Sequence, residues 1–335
     1  MVKGNGGGTM KEFTVGANDA GQRLDRFVAK LVPLLPASLE QKYLRLKRIK
    51  VNGRGAARDY RLRAGDTIQL YINDEFFETP SAQNAYLTVS APKLDIVYED
   101  GNILLCDKRP GLAVHPHDGA EYGKTLIDHI QAYLYARGEW KPRQENAFAP
   151  ALCNRIDRNT EGLVIAAKTA AALRDMNAAI RDRKVHKHYL TITAAPLPKN
   201  HGICKAWLKK GDRQVTVSDK PADSTWKQIV TEYRVLAQHG QRQLVQITLH
   251  TGRTHQIRAH LAFLGAPVLG DPKYGSIPSN EENQCLCAWS LSFAELKGTA
   301  IEALDGQTVS VPVPDFVRRY FPDVRLAFLS LEASR

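Results

Sequence analysis

Two hydrophobic periods run along the chain. Between Arg23 and Leu35, the apolar residues Leu24, Phe27, Val28, Leu31 and Leu35 recur at three- and four-residue steps. That spacing puts them on one face of a helix. A second helical stretch follows Ser38, a residue type suited to capping a first turn. After it, IKVNGR places Asn52-Gly53 between extended residues. Both residues tolerate positive φ, so the pair predicts a hairpin turn. RLRAGDTIQLYI then reads as a turn at Gly65-Asp66 followed by an alternating strand.

From Ile96 onward the pattern changes. Short β-rich runs (IVYEDGNILLCDK, GLVIAAKT, YLTITAA, QLVQITLHT) are mixed with three helical segments, Thr125–Ala136, Ala170–Arg183 and His255–Leu264. Gly138 and Gly265 are placed to stop two of them. Strands outnumber helices and do not alternate strictly with them. The class is therefore α+β with a mixed or antiparallel sheet, not a doubly wound fold. The boundaries read as a disordered tail over 1–12, a small α/β domain over 13–73, a linker over 74–92, a large domain over 93–325 and a tail over 326–335. The linker DEFFETPSAQNAYLTVSAP lacks a clear period. The apolar Leu163, Val164 and Ile165 read as strand core. The chain shows no internal repeat and no Gly-rich phosphate loop.

Charge sharpens the picture of the small domain. The 335 residues carry a formal net charge of +11. Between Lys42 and Arg63 stand nine bases, among them Arg45, Lys47, Arg48, Lys50 and Arg54, against the single acid Asp59. A solvated helix face interleaves acids with its bases, and this one does not. The concentration points to a nucleic acid, whose condensed counterions are released as phosphates are neutralised. In its order of helix, basic helix, VNG hairpin and AGD turn, the segment resembles the small RNA-binding module known as the αL motif. The resemblance covers about fifty residues and implies binding to structured RNA, mainly through phosphates.

Other classes are disfavoured. No apolar run approaches the ~18–20 residues that cross a bilayer, and MVKGNGGGTM has no apolar stretch of the kind that directs export. Cys106, Cys153, Cys204, Cys285 and Cys287 are odd in number and scattered, which fits reduced thiols in the cytoplasm. Cys285 and Cys287 lack a second pair for zinc. The ten histidines show no ligand spacing, and no His-x-Glu with a following Cys-x-x-Cys is present, so neither a metal nor a zinc deaminase is expected.

Three segments carry candidate chemistry: NRIDRNTEGLVIAAK (Asn154–Lys168), KHYLTIT (Lys187–Thr193) and LHTGRTHQIRAHLAFLGAPVLGDPKYG (Leu249–Gly275). In the first, Asp157 lies between Arg155 and Arg158 just before an apolar strand. A structural ion pair accounts for that aspartate as well as a catalytic role does. In the third, Arg253 projects from a Gly-assisted turn, and Arg258 and His260 lie on the helix that follows. His255 and His260 read as structural, with His255 fixing the loop by hydrogen bonding.

Taken together these segments resemble the RluA-type pseudouridine synthases over nearly the whole chain. The family's HRLDxxTSG motif is matched by NRIDRNTEG, which puts Asp157 at the nucleophile position. Its KxY tyrosine falls on Tyr189 and its TGRxHQIR arginine on Arg253. KRPGLAVHP (Lys108–Pro116), GDPKYG and LSF (Leu291–Phe293) also match. The resemblance implies a cofactor-free isomerisation of uridine in RNA, most simply ribosomal RNA of the large subunit; separately, a monomer is expected. Asp157 would attack, Arg253 would pair with it, Tyr189 would stack on the uracil, and Arg155 would fill the gap left by the flipped base. Three positions depart from the pattern: Asn154 for His, Glu161 for Ser, and Cys287 for His. Glu161 would set a negative charge near the RNA path. A competing reading, an RNA-binding protein whose catalytic domain is inactive, draws on those departures. The joint presence of Asp157, Tyr189 and Arg253 opposes it.

Overall fold

The computed structural model describes residues 10–16, 19–78, 81, 84–116, 122–142, 148–212, 214–275 and 278–324. The expected tail over 326–335 and the first nine residues lie outside them. The chain divides into two compact units, residues 1–93 with 115–139, and residues 94–114 with 140–335.

The first unit holds β1 (Lys11–Thr14), α1 (Leu24–Leu31), α2 (Ala37–Arg45), β2 (Ile49–Val51), β3 (Arg54–Gly55) and β4 (Thr67–Leu70). Its four strands form an antiparallel sheet in the order β1-β4-β2-β3. Helix α1 buries Leu24, Phe27 and Val28 as the spacing predicts. It stops before Pro33, which disfavours helical geometry at Val32, so Leu35 is buried from the following turn. Helix α2 does not start after Ser38. Its N-cap is Pro36, in an extended conformation, and Ser38 sits inside the first turn. A proline fixes φ near the boundary value without needing its missing N–H, which makes it the natural entry point. Strand β1 takes in Lys11 and Glu12, at the end of the segment expected to be disordered. The Asn52-Gly53 turn has φ of +49° and +76°, as a two-residue hairpin requires. Asn52 also donates to Asp66 Oδ1 at 2.8 Å and accepts from Thr67 N at 2.8 Å, so the two turns are tied together.

Residues 74–92 contain two single-turn 3-10 helices, Asp74–Phe77 and Ala85–Thr88, with Phe76, Tyr86 and Leu87 buried. Helix α3 (Leu126–Ala136) packs on the second of these and belongs to the same unit. Its capping box is built by Thr125 and Asp128, and Gly138 ends it with φ +72°.

The second unit is organised on one eleven-stranded sheet. Its strands are β5 (Asp95–Glu99), β6 (Ile103–Lys108), β7 (Ala151–Leu152), β8 (Glu161–Ala167), β9 (Val185–Thr193), β10 (His201–Lys210), β11 (Val215–Ser218), β12 (Lys227–His239), β13 (Arg242–Leu249), β14 (Leu286–Phe293) and β15 (Thr308–Ser310). The order is β11-β10-β12-β13-β9-β14-β8-β6-β5, with β15 beside β14 and β7 beside β8. All pairings are antiparallel except β14 with β8, so the sheet is mixed and the fold α+β. Leu163 to Ala167 are fully buried at consecutive positions, which means that both faces of β8 are covered. Helices α4 (Ala170–Arg181) and α6 (Asp315–Tyr320) add Met176, Ala179, Phe316 and Val317 to that core. Helix α5 (Gln256–Phe263) packs through Ala259 against Ala206, Leu208, Val215 and Ile229, a separate apolar cluster. Among the described residues no helix is long and apolar enough to cross a membrane.

One glycine decides where β8 begins. Gly162 pairs with Ala288 across the parallel junction and has φ +109°. A Cβ there would lie 2.3 Å from the Ala288 carbonyl oxygen. Only glycine lets the two backbones approach this closely, and the loop carrying Asp157 ends immediately before it.

Candidate active site

Asp157 stands on the loop between β7 and β8. Several bonds fix that loop from below. Cys153 N donates to Ile165 O at 2.8 Å, and Thr160 N closes a turn on Asp157 O at 3.1 Å. The buried Asn154 side chain accepts from Ile165 N at 2.7 Å and donates to Leu163 O at 3.3 Å, acting as one more partner for β8. Asn154, which departs from the pattern, thus anchors the loop to β8. Lys108, only 1% exposed, donates from Nζ to Arg109 O at 2.9 Å and Arg158 O at 2.8 Å. Burial lowers its pKa to about 8, since desolvation disfavours the charged form.

The third segment supplies the other wall. Thr251 Oγ1, Arg253 N and the Gln256 amide hold the TGR turn onto β12 through Val230 and Thr231. His255 enters α5 in the left-handed region at φ +54°. Its Nδ1 lies 2.8 Å from Tyr274 Oη and its Nε2 lies 3.9 Å from Asp157 Oδ2. Tyr274 Oη already accepts from Val215 N at 3.0 Å. If the Tyr274 hydroxyl donates to Nδ1, the ring hydrogen stands on Nε2, toward the carboxylate. Burial lowers the His255 pKa, against the opposing pull of Asp157. His260 is buried against Thr231 Oγ1, and burial lowers its pKa to about 4.

The cation paired with Asp157 is Arg258, not Arg253. Arg258 Nη1 donates to Asp157 Oδ2 at 2.7 Å, while Nε and Nη2 grip Asp271 Oδ2 and Oδ1 at 2.7 Å each. The Arg258 side chain is 7% exposed and that of Asp271 is 0% exposed. Asp271 Oδ1 also accepts from Lys273 N and Tyr274 N. Burial alone would lower the Arg258 pKa, but the two carboxylates reverse the direction and raise it. A guanidinium suits this bridge because its fork addresses one carboxylate with two N–H groups and keeps a third for another. Arg253 is exposed, lines the same cavity, and makes no ion pair among the described residues. The signal for Arg258 is its burial, which the sequence alone does not give. Arg258 is a charged residue on QIRAHLAF, a short helix that is otherwise almost wholly buried, and a buried charge demands partners.

Asp157, Tyr189, Arg155, Arg253 and Arg258 all line one cavity of about 450 Å³. Tyr189 reaches it from the middle of β9, between Ile247 on β13 and Ala288 on β14. Burial, with Asp157 nearby, pushes its phenol pKa up. Lys187, two residues earlier on the same face of β9, also lines the cavity, and burial lowers its pKa. The KxY segment pointed to the tyrosine, and its lysine joins the same wall. Arg155 is exposed at the rim. Glu161, by contrast, does not face this cavity. It lines another one with Gln284 and Asp315, because the left-handed step at Gly162 and the junction with β14 turn the chain there. Among the described residues no three His, Cys, Asp or Glu side chains are close enough to hold a metal ion.

The basic residues of the small unit lie outward. Arg45, Lys47, Arg48 and Arg54 are exposed and Lys50 is half-buried. Arg48 stacks over Tyr43 and Lys50 over Tyr71, while Arg58 is engaged by Asp25 at 3.2 Å.

The mixed sheet brings an aspartate at the entry of β8, a tyrosine from β9 and a buried arginine from α5 to one cavity. Residues 102–263 match the family described as RNA pseudouridylate synthase. The chain is 31% identical over 289 residues to the ribosomal large subunit pseudouridine synthase D of Nitrosomonas europaea, covering 84% of this chain and 79% of that protein. It is 29% identical to the synthase C of Escherichia coli O157:H7, covering 95% and 98%. The human RNA pseudouridylate synthase domain containing 1 has the same fold, with a TM-score of 0.55, 19% identity, and coverage of 77% and 98%. The chain belongs to the RNA pseudouridine synthase family, in its RluA-type branch, and is an enzyme that isomerises uridine in RNA.

Proposed function

We propose that this enzyme converts uridine to pseudouridine in large-subunit ribosomal RNA, with Asp157 as nucleophile and no cofactor. The observation that carries the reading is the Asp157 carboxylate, 23% exposed in a nucleotide-sized cavity and held by Arg258 at 2.7 Å. The names of the relatives, ribosomal large subunit pseudouridine synthases C and D, support the choice of RNA. So does the outward basic surface of residues 13–73, which we read as an RNA-binding module for a large structured substrate.

The chemistry asks little beyond these side chains. The uridine leaves its stack and enters the cavity. Asp157 attacks the nucleotide, at the ribose carbon or at the ring, and the bond between N1 and the sugar breaks. The uracil turns within the closed space, and carbon 5 bonds to the sugar carbon. Carbon 5 gives up its proton, N1 takes one, and the carboxylate is released. Atoms and electrons balance with no oxidant or co-substrate, which is why no cofactor is needed. Arg258 orients the carboxylate, a role carried over from Arg253. Tyr189 stacks on the uracil and stands where the proton of carbon 5 leaves. Arg155 and Arg253, both at the rim, hold phosphates and fill the place of the flipped base. We take the enzyme to act as a monomer in the cytoplasm.

The test compares wild type with Asp157→Ala on ribosomal RNA. The substitution should abolish pseudouridine formation while RNA affinity stays within about threefold. Equal modification by both proteins would remove Asp157 from the mechanism. Mapping pseudouridines in RNA from cells lacking the protein identifies the target.

A further inference from the structure

Two side-chain nitrogens face one oxygen of Asp157. Arg258 Nη1 lies 2.7 Å from Oδ2, and His255 Nε2 lies 3.9 Å from the same atom. Oδ1 accepts no hydrogen bond among the described residues. The single bond from Arg258 fixes the position of Oδ2 but not the plane of the carboxylate, which can still swing about that contact. A second donor at Oδ2 removes this freedom and leaves Oδ1 for the nucleotide. At 3.9 Å the histidine contact is too long for a hydrogen bond, and catalytic contacts of this kind shorten when substrate binds.

The surroundings of His255 are built to aim it. It enters α5 at φ +54° and ψ +18°, a left-handed backbone that costs energy where a Cβ is present and that gathers at functional sites. Its side chain is 18% exposed and lines the cavity of Asp157. Burial lowers its pKa, so at neutral pH the ring carries one hydrogen and the tautomer decides which nitrogen donates. Tyr274 bears on that choice. Its Oη lies 2.8 Å from Nδ1, accepts from Val215 N at 3.0 Å, and makes no other hydrogen bond among the described residues. The same tyrosine serves the arginine. Its N donates to Asp271 Oδ1 at 3.1 Å, and the Arg258 guanidinium lies 5.3 Å from its ring centroid. Residues 271–274 therefore hold both groups that face Asp157 Oδ2. A second full cation there would draw charge from the carboxylate and weaken its attack, whereas an uncharged N–H orients it with less of that effect.

We propose that neutral His255 is a positioning residue for Asp157, its Nε2–H donating to Oδ2 when the nucleotide is bound and its Nδ1 accepting from Tyr274 Oη. This role rests on Asp157 being the nucleophile. If His255 serves only to tie the entry of α5 to Tyr274, Nδ1 alone matters.

Two amide substitutions separate these roles. In His255→Asn the side-chain oxygen falls near the Nδ1 position and keeps the bond from Tyr274, with no donor left beside Asp157. Asparagine also suits a left-handed backbone. In His255→Gln the amide nitrogen falls near the Nε2 position and keeps that donor, while the bond to Tyr274 is given up. Both are compared with wild type and Asp157→Ala in single-turnover release of tritium from unmodified large-subunit ribosomal RNA labelled at uracil carbon 5, at saturating enzyme. RNA affinity and melting temperature are measured beside it. His255→Asn should slow the chemical step about tenfold to 100-fold, as a misplaced reacting group does, with RNA affinity within about threefold and a melting temperature close to that of wild type. His255→Gln should stay within about threefold of the wild-type rate, even if it melts lower. His255→Asn at the wild-type rate overturns the proposal, and decides alone should His255→Gln fail to fold. A folded His255→Gln as slow as His255→Asn also overturns it, because a lost donor is then not the cause. Asp157→Ala tells the two claims apart. If it is inactive, a wild-type rate in His255→Asn removes only the role of His255; if it is active, the nucleophile falls and this role with it.

Discussion

Replacing Arg258 by lysine separates the two arginines of the TGRTHQIR segment. Arg258 makes three charged hydrogen bonds of 2.7 Å, two to Asp271 and one to Asp157. A lysine ammonium keeps the charge but cannot span both carboxylates with a planar fork. At about 1.5–3 kcal/mol for each hydrogen bond to a charged group, losing two of three removes about 3–6 kcal/mol of interaction. Part of that loss falls on folding, because Asp271 has no solvent to turn to. We expect the unfolding free energy to drop by about 2–4 kcal/mol, overlapping the lower part of the range for broken buried pairs, since lysine keeps the charge. The remainder falls on the orientation of Asp157. One lost bond corresponds to roughly a 10- to 100-fold slower chemical step, at 1.36 kcal/mol per tenfold. The assay is single-turnover release of tritium from RNA labelled at uracil carbon 5, at saturating enzyme, beside urea unfolding. Arg253→Ala, with no ion pair to lose, should stay within about threefold in that rate and weaken RNA binding instead. If Arg253→Ala slows the step 100-fold while Arg258→Lys changes it less than threefold, the pairing argument is wrong.

Gly162→Ala should destabilise the fold by about 2–4 kcal/mol in urea unfolding, because its Cβ would meet the Ala288 carbonyl at 2.3 Å in a left-handed backbone. A change under 0.5 kcal/mol would mean that the junction of β8 and β14 is loose. Glu40 is buried with no partner for Oε1, and burial raises its carboxyl from an ordinary 4.5 to about 7. The folded state then holds its proton where the unfolded chain has released it, so stability should fall as pH rises from 4.5 to 7. Glu40→Gln should flatten that slope and add about 1–2 kcal/mol at pH 8, allowing for screening through the adjoining opening. A slope identical to wild type would refute the assignment. Replacing Arg45, Lys47 and Arg54 together with glutamine should weaken RNA binding and shallow its dependence on salt by up to about three phosphate equivalents. An unchanged slope would take these residues out of the interface. Substitution is a better perturbation than removing residues 1–80, since Tyr135 of α3 donates to Glu75 at 3.0 Å and α3 would lose part of its unit.

The sequence by itself determined what depends on neighbours along the chain. The helix faces, the Asn52-Gly53 hairpin, the glycine stops and the basic surface all follow from local periods and backbone preferences, and the structure has them. The ordered motifs also located Asp157 and Tyr189, which one cavity brings together. Only the tertiary structure decided which arginine meets the aspartate. Arg253 stands on the turn and Arg258 on the helix that follows it, and the motif pointed to the first. The difference lies in Asp271, a carboxylate so buried that only a guanidinium close to it bridges it to Asp157. Glu161 shows the same limit, for it lies in the same motif as Asp157 yet faces another cavity. Its direction is set by a close backbone approach between strands more than a hundred residues apart. Local chemistry fixes which elements form, but burial and long-range contact fix which charges must share a site.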